Sequence, residues 1–390
     1  MVERSNQLDG YRLDDRYQSD HGRVFLSGAQ ALARLPYEQL RIDRASGHRT
    51  AAYVTGYPGS PLAGFDRDAT AVAALATAAG YHLVFQPAMN EELAATAVMG
   101  SQLSVTLSTS RYDGVIGVWY GKTPGLDRAA DALRHAVFAG ASPLGGAVAL
   151  VGDDPSAKSS TLPSSSDATL LGLHLPVLFP GDVQEAVDLG RHAIAMSRAS
   201  GMWSAIKVIE AVADGTGTVE LHPERIVPVI PTMDVDGRLF TPRPDGRLLT
   251  PNSLELEREM RHVRMELAAR YGVVNRLNAI SVRGPQDWVG IAAAGSTYRE
   301  TVEALRSLGL TGDDDLRAAG VRLLKLAMPV PLDRDLVREF ADGLMEIIVV
   351  EDKHPTLEGL VKESLYGHSS QPQVVGKRTP SGSPLLPDTG

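Results

Sequence analysis

Apolar runs that are hydrophobic on both faces alternate with helical stretches over the first part of the chain. The strand-like runs are 51–55 (AAYVT), 83–86, 114–120 (GVIGVWY), 146–151, 176–179 and 203–209. Helical spacing occupies 65–79, a stretch opening near Asn90, Glu91 and Glu92, then 126–139 and 182–200. A strand buried on both faces reads as an unbroken apolar run, and helices between such strands cover both sides of a parallel sheet. The pattern predicts a doubly wound α/β domain over residues 1–215.

The middle, 216–284, reads differently. A small tandem, DGRLFTPRP then DGRLLTPNS (236–253), is rich in turn residues and predicts two turns or a hairpin within a linker. A charged helix follows, with Leu256, Met260, Val263, Leu267 and Tyr271 stepping along one face. From 285 to 367 a second, smaller α/β domain is predicted: strands at 289–294, 321–327 and 346–351, helices at 297–308, 332–341 and 356–366. Residues 368–390 are rich in Pro, Ser and Gly without apolar periodicity, which predicts a tail.

Composition narrows the function. The 390 residues are 43% hydrophobic and 22% charged, the balance of a folded globular chain. The net charge is −9 and no Lys/Arg block occurs, which argues against nucleic acid as a partner. Apolar stretches fall short of the roughly 20 residues a membrane span needs, and the polar start (1–17) lacks a leader's apolar segment. A cytoplasmic protein is the expectation. With no Cys, the chain cannot hold a disulfide, a zinc–thiolate site or a Cys-ligated iron–sulfur cluster. Its ten His are scattered without ligand spacing, so no metal site is expected from this chain.

The P-loop, GxGxxG, GxSxG and HExxH signatures are all missing. Four loops after strands of the first domain remain, and ligands of doubly wound sheets bind at C-terminal strand ends. They are GYPGSP (56–61), PAMNEELAA (87–95), YGKTPGLDRAAD (120–131) and GDDPSAKSSTLPSSSD (152–167). Each has an ordinary reading: a turn, an Asn90 cap with Glu91 and Glu92 favouring the helix dipole, a solvated Lys122, a flexible surface segment. Their convergence on one sheet edge weighs more than any of them alone.

At these loops the sequence resembles the thiamine-diphosphate-dependent 2-oxoacid:ferredoxin oxidoreductases, above all the large fused indolepyruvate ferredoxin oxidoreductases of bacteria. The likeness is carried by YRLDDRYQSDHGRVFL (11–26), GYPGSPLAGFD (56–66), MNEELAATAVMGSQ (89–102), YDGVIGVWYGKTPGLDRAADALRHA (112–136) and GDDPSAKSSTLP (152–163). MPVPL (328–332), EIIVVEDKHPTLEGLVKESLY (346–366) and VVGKR (374–378) extend it along nearly the whole chain. The resemblance implies a pyrimidine-binding domain followed by a transketolase-C-terminal-like domain. In that family a glutamate hydrogen-bonds N1′ of the aminopyrimidine, so that the 4′-imino nitrogen can take the thiazolium C2 proton. Glu91 matches that catalytic position, with Glu92 as the fallback. Gly59, Ser60 and Asn90 match cofactor-side positions. Lys122 is the candidate for the substrate carboxylate, with Ser159 and Ser160 lining the site.

The sequence also departs from the family. Its Gly-Asp-Gly motif with a following Asn pair, which holds the diphosphate through Mg²⁺, is missing; neither 152–154 (GDD) nor 312–314 (GDD) replaces it. LPSSSD (162–167) stands where a His/Gln-containing stretch is expected. Mg²⁺, iron–sulfur clusters and the γ-type domain are therefore expected from a partner subunit or a missing domain. The resemblance implies an N-terminal part or split subunit of a homo- or hetero-oligomeric enzyme. That enzyme would convert an aryl or branched 2-oxoacid to the acyl-CoA with ferredoxin as acceptor, and this chain alone would be inactive. The rival reading is a non-catalytic remnant or regulatory subunit that keeps the fold.

Overall fold

A computed structural model describes residues 12–158 and 160–389. Fifteen strands are found among them. The first domain contains β1 (Gly22–Ser27), β2 (Thr50–Gly56), β3 (Leu83–Phe85), β4 (Gly114–Lys122), β5 (Ala147–Asp153), β6 (Val177–Leu178), β7 (Ser204–Ile209) and β8 (Thr216–Leu221). Strands β2 to β7 form one parallel sheet in the order β3-β2-β4-β5-β7-β6.

Alternate residues along these strands face opposite sides. Ile116, Val118, Val148, Leu150, Ile206 and Val208 join the core under helices Gly28–Ala45, Phe65–Ala78 and Val183–Ser200. Trp119, Ala147, Ala149 and Ala205 join the core under helices Glu91–Leu103 and Ala130–Ala139. This two-sided burial is why the strands read as unbroken apolar runs. From β2 the chain goes to β3 on one side, then returns to β4 on the other. The crevice between the C-terminal ends of β2 and β4 is thus the topological switch point of the sheet.

The middle segment holds β9 (Asp234–Val235) and β10 (Arg238–Leu239), an antiparallel pair around Asp236 and Gly237, both at positive φ. The first half of the tandem is therefore a tight hairpin, whereas the second half forms no strand. The second sheet, β11 (Asn278–Val282), β12 (Val289–Ala294), β13 (Val321–Leu326), β14 (Glu346–Val350) and β15 (Gln373–Val375), has the order β11-β13-β12-β14-β15. Only β11 runs antiparallel.

Four expectations need correction. Residues 216–221 are not linker but β8, paired antiparallel to β1 in a ribbon whose Val24, Leu26, Val219 and Leu221 face the core. The second sheet draws β11 and β15 from outside 285–367, because its outer strands need only one buried face and carry a weak apolar signal. The segment 368–390 is not merely a tail: Lys377 is buried, and its Nζ donates to the carbonyls of Glu351 and Pro387. The stretch 126–139 is two helices, Thr123–Arg128 and Ala130–Ala139, not one.

The two domains share a core, and the second covers the β6 edge of the first. Val177 N–H donates to Val330 O at 2.7 Å and Phe179 N–H to Ala327 O at 2.8 Å. Glu185 pairs across the junction with Lys325 and Arg299. Among the described residues no helix is long and apolar enough to cross a membrane.

Candidate functional site

Glu91 opens the helix Glu91–Leu103, directly after the N-cap Asn90. Asn90 Oδ1 accepts the N–H of Leu93 at 2.9 Å, so its side chain is spent on the cap. The Glu91 side chain does not run outward with the solvent face of the helix; it is only 7% exposed. Trp119 of β4 holds the backbone at this point, its Nε1 donating to the main-chain carbonyl of Glu91 at 3.0 Å.

The carboxyl group is wedged onto the segment that follows β4. A Cβ at Gly125 would stand 2.5 Å from Glu91 Oε1, and one at Gly121 would stand 3.5 Å from its Cγ. Only glycine at 125 leaves that space. Among the described residues the carboxyl accepts no hydrogen bond and forms no ion pair. A buried polar group is ordinarily satisfied, so this carboxyl stands out. Glu92 differs: it is exposed and lies 4.0 Å from Arg128 Nε.

The loop 56–61 meets the same place. Tyr57 N–H donates to Tyr120 O at 3.2 Å, tying the end of β2 to β4. Gly59 rests on the stem of Lys122, whose Cδ would lie 3.0 Å from a Cβ at that position. Lys122 is half-buried and forms no ion pair among the described residues. Ser60 is half-buried in the same turn, and Pro61 packs on Gly152 at the end of β5. Gly59 thus meets Lys122 at the end of β4, and Glu91 lies against Gly121 and Gly125 of the same segment.

The described part of the Ser-rich loop is tied together by acids of the loop itself. Asp154 accepts the N–H of Lys158 at 2.9 Å and of Ser160 at 2.7 Å, and Lys158 pairs with Glu210. Ser160 is held by its backbone, with no contact to Glu91 or Lys122; Ser159 lies outside the described residues.

Sequence reasoning did not single out Thr123, Gly125, Asp153 or Lys207. Asp153 is fully buried, and burial pushes its carboxyl up while Lys207 pulls it back. It accepts hydrogen bonds from Thr123 Oγ1 and from the N–H and Oγ of Ser166 at 2.9 and 3.0 Å. Gly125 and Thr123 stand inside the KTPG turn, the signal that could have drawn attention to them.

This pairing of a six-stranded parallel domain with a smaller five-stranded one is a two-domain α/β architecture shared with solved ferredoxin oxidoreductase and transketolase chains. The fold is similar to that of the 2-oxoglutarate:ferredoxin oxidoreductase from Magnetococcus marinus. There the TM-score is 0.62 at 17% identity, covering 93% of this chain and 63% of that one. It is similar also to a split-gene transketolase, with a TM-score of 0.50 at 13% identity over 91% of this chain and 90% of that one.

Sequence adds a more particular likeness. Residues 278–383 match the indolepyruvate ferredoxin oxidoreductase middle domain. The chain is 26% identical over 348 residues to indolepyruvate oxidoreductase subunit IorA of Methanothermobacter thermautotrophicus, covering 89% of this chain and 49% of that relative. It is 26% identical over 361 residues to the same subunit of Pyrococcus abyssi, at 91% and 49% coverage. Over residues 278–383 the chain carries the indolepyruvate ferredoxin oxidoreductase middle domain, and it spans about half the length of the curated relatives it matches.

Proposed function

We propose that this chain is the N-terminal part, or a split subunit, of a thiamine-diphosphate-dependent 2-oxoacid:ferredoxin oxidoreductase of the indolepyruvate type, and that it supplies the pyrimidine half of the cofactor site. One observation carries the reading: a buried glutamate at a helix start, its carboxyl unspent among the described residues, lies against Gly121 and Gly125 at the end of β4, a strand of the sheet's switch point. The fit to an aminopyrimidine is chemical. A flat heteroaromatic edge with ring nitrogens needs a carboxyl partner sheltered from water, and Gly125 leaves the room that the Glu91 carboxyl occupies.

Bound thiamine diphosphate would supply the electron sink for decarboxylating a 2-oxoacid. Glu91 would hold a proton at the ring-nitrogen edge, a task that a buried carboxyl performs better than an exposed one because competing water is excluded. Lys122, unpaired beside Gly59, would hold the substrate carboxylate by a charge-assisted hydrogen bond. Gly59 and Ser60 would line the cofactor side, and Asn90 would act through the helix it caps. The Mg²⁺–diphosphate half, the iron–sulfur relay and the acceptor ferredoxin belong on this reading to partner polypeptides or further domains.

The test is reconstitution. The chain alone, given thiamine diphosphate and an aryl or branched 2-oxoacid, is expected to show no decarboxylation; with a subunit carrying the diphosphate half, turnover is expected. Turnover by the chain alone contradicts the half-site reading. No turnover with any such subunit favours the non-catalytic remnant.

A further inference from the structure

Lys207 is a lysine in an unusual place. It lies on β7, one strand in from the β6 edge of the first sheet, and its side chain is 3% exposed. Its Nζ is 2.6 Å from Asp167 Oδ2 and 3.6 Å from Asp153 Oδ2, and it lies 4.6 Å from the centroid of the Phe179 ring. A buried ion cluster of this kind is costly to build and seldom the cheapest route to stability. Its placement suggests what it does instead.

Asp153 ends β5 beside the switch-point crevice. With one oxygen it accepts the Thr123 hydroxyl; with the other it accepts the N–H and hydroxyl of Ser166. Thr123 is the first residue of the short helix Thr123–Arg128. Two residues on, Gly125 forms the wall against which the Glu91 carboxyl is packed. A continuous line of hydrogen bonds and contacts therefore runs Lys207–Asp153–Thr123–Gly125–Glu91. Among the described residues Asp153 has no other cation within ion-pair distance. Without Lys207 it would be a buried carboxylate lacking a counter-charge, which must take up a proton or turn toward water. Either change would weaken its hold on Thr123.

We infer that Lys207 is a positioning residue, acting through Asp153 and Thr123 to fix the turn that holds the Glu91 carboxyl in place. The inference rests on the reading of Glu91 given above, but its test does not depend on catalysis.

The full chain, labelled with ¹³C at Glu carboxyls, is compared as wild type, Lys207→Met, Lys207→Arg and Thr123→Val. The Glu91 resonance is assigned by its loss in Glu91→Gln, and amide hydrogen exchange is followed in parallel. Lys207→Met and Thr123→Val are each expected to shift the Glu91 resonance and to speed exchange over 123–128 by at least roughly tenfold, a local opening. Exchange in β12 and β14 should stay unchanged, and Lys207→Arg should restore both signals. If Lys207→Met does not fold, Thr123→Val, which removes one hydroxyl and keeps the shape, decides the matter alone. A folded Thr123→Val with wild-type Glu91 resonance and wild-type exchange overturns the inference. So does a response in Lys207→Met that Lys207→Arg fails to restore. If Glu91→Gln leaves thiazolium C2-proton exchange of thiamine diphosphate in the reconstituted enzyme untouched, the thiamine reading fails while this positioning line stands.

Discussion

A glutamate at the first position of a helix ordinarily lies in water, where the helix dipole favours it by a few tenths of a kcal/mol. Glu91 gives up that solvation, and Gly125 is what makes room for it. Glu91→Gln keeps the shape and removes the proton-holding carboxyl. In the reconstituted enzyme it is expected to lower turnover at least about 100-fold, about 3 kcal/mol of barrier, with the unfolding midpoint nearly unchanged. Gly125→Ala would place a methyl 2.5 Å from Glu91 Oε1. It should displace that side chain, cost about 1–3 kcal/mol of stability in denaturant titration, and lower activity to a similar extent as Glu91→Gln. At this scale the sequence was legible where local chemistry was strong: Asn90 followed by two acids marks a helix start. It was silent on which acid turns inward. That depends on Trp119, Gly121 and Gly125, residues 28 to 34 positions further along the chain.

Among elements, the helical run from Asn252 to Val274 shows how a tertiary contact overrides periodicity. Its spacing predicts Leu256, Met260, Val263, Leu267 and Tyr271 on the inward face. The structure buries Arg264 in place of Val263 and inserts a π-helical turn at Met260–Arg264. The reason is capping. Arg264 donates to the carbonyls of Val137 and Phe138 at 3.1 and 3.0 Å, at the end of the helix Ala130–Ala139, and to Leu256 O at 3.1 Å. Arg264→Met should leave those carbonyls without a donor and cost about 2–4 kcal/mol by denaturant unfolding. Nothing in a charged, exposed-looking heptad announces such a role. The six central strands were readable because both their faces are buried. The ribbon β1–β8 was not, since Phe25 between Val24 and Leu26 is exposed and leaves only two inward positions.

For the whole molecule, the junction between the two domains sets an expected pH dependence. Burial pushes the Glu351 carboxyl up to about 7, against an ordinary value of 4.5; the N–H groups of Leu357 and Glu358 oppose the shift. A raised acid binds its proton more tightly folded than unfolded. Its stabilisation is therefore full below pH 4.5 and is lost as pH rises through 7. His192 works in the opposite sense: burial lowers it to about 4, so stability is lost as pH falls from 6.5 toward 4. The two windows overlap, so the difference between wild type and Glu351→Gln isolates the first. Glu351→Gln should be the more stable of the two at pH 8 and lose that advantage toward pH 5, by up to about 3 kcal/mol. Thermal unfolding across that range checks it, and a constant difference would contradict the assignment. The domain layout was only partly legible for a related reason. Strand β15 is three residues long, and what fixes its place is the burial of Lys377 against Glu351 and Pro387, a contact invisible to periodicity.

The central claim, that the Glu91 carboxyl serves the edge of an aminopyrimidine ring, is tested most directly by the exchange of the thiazolium C2 proton of thiamine diphosphate into D₂O. That exchange is followed by NMR in the complex of this chain with a subunit carrying the diphosphate half. The account predicts fast exchange with the wild-type chain and a rate at least about 100-fold slower with Glu91→Gln. Equal rates in the two complexes, with cofactor bound in both, would contradict it.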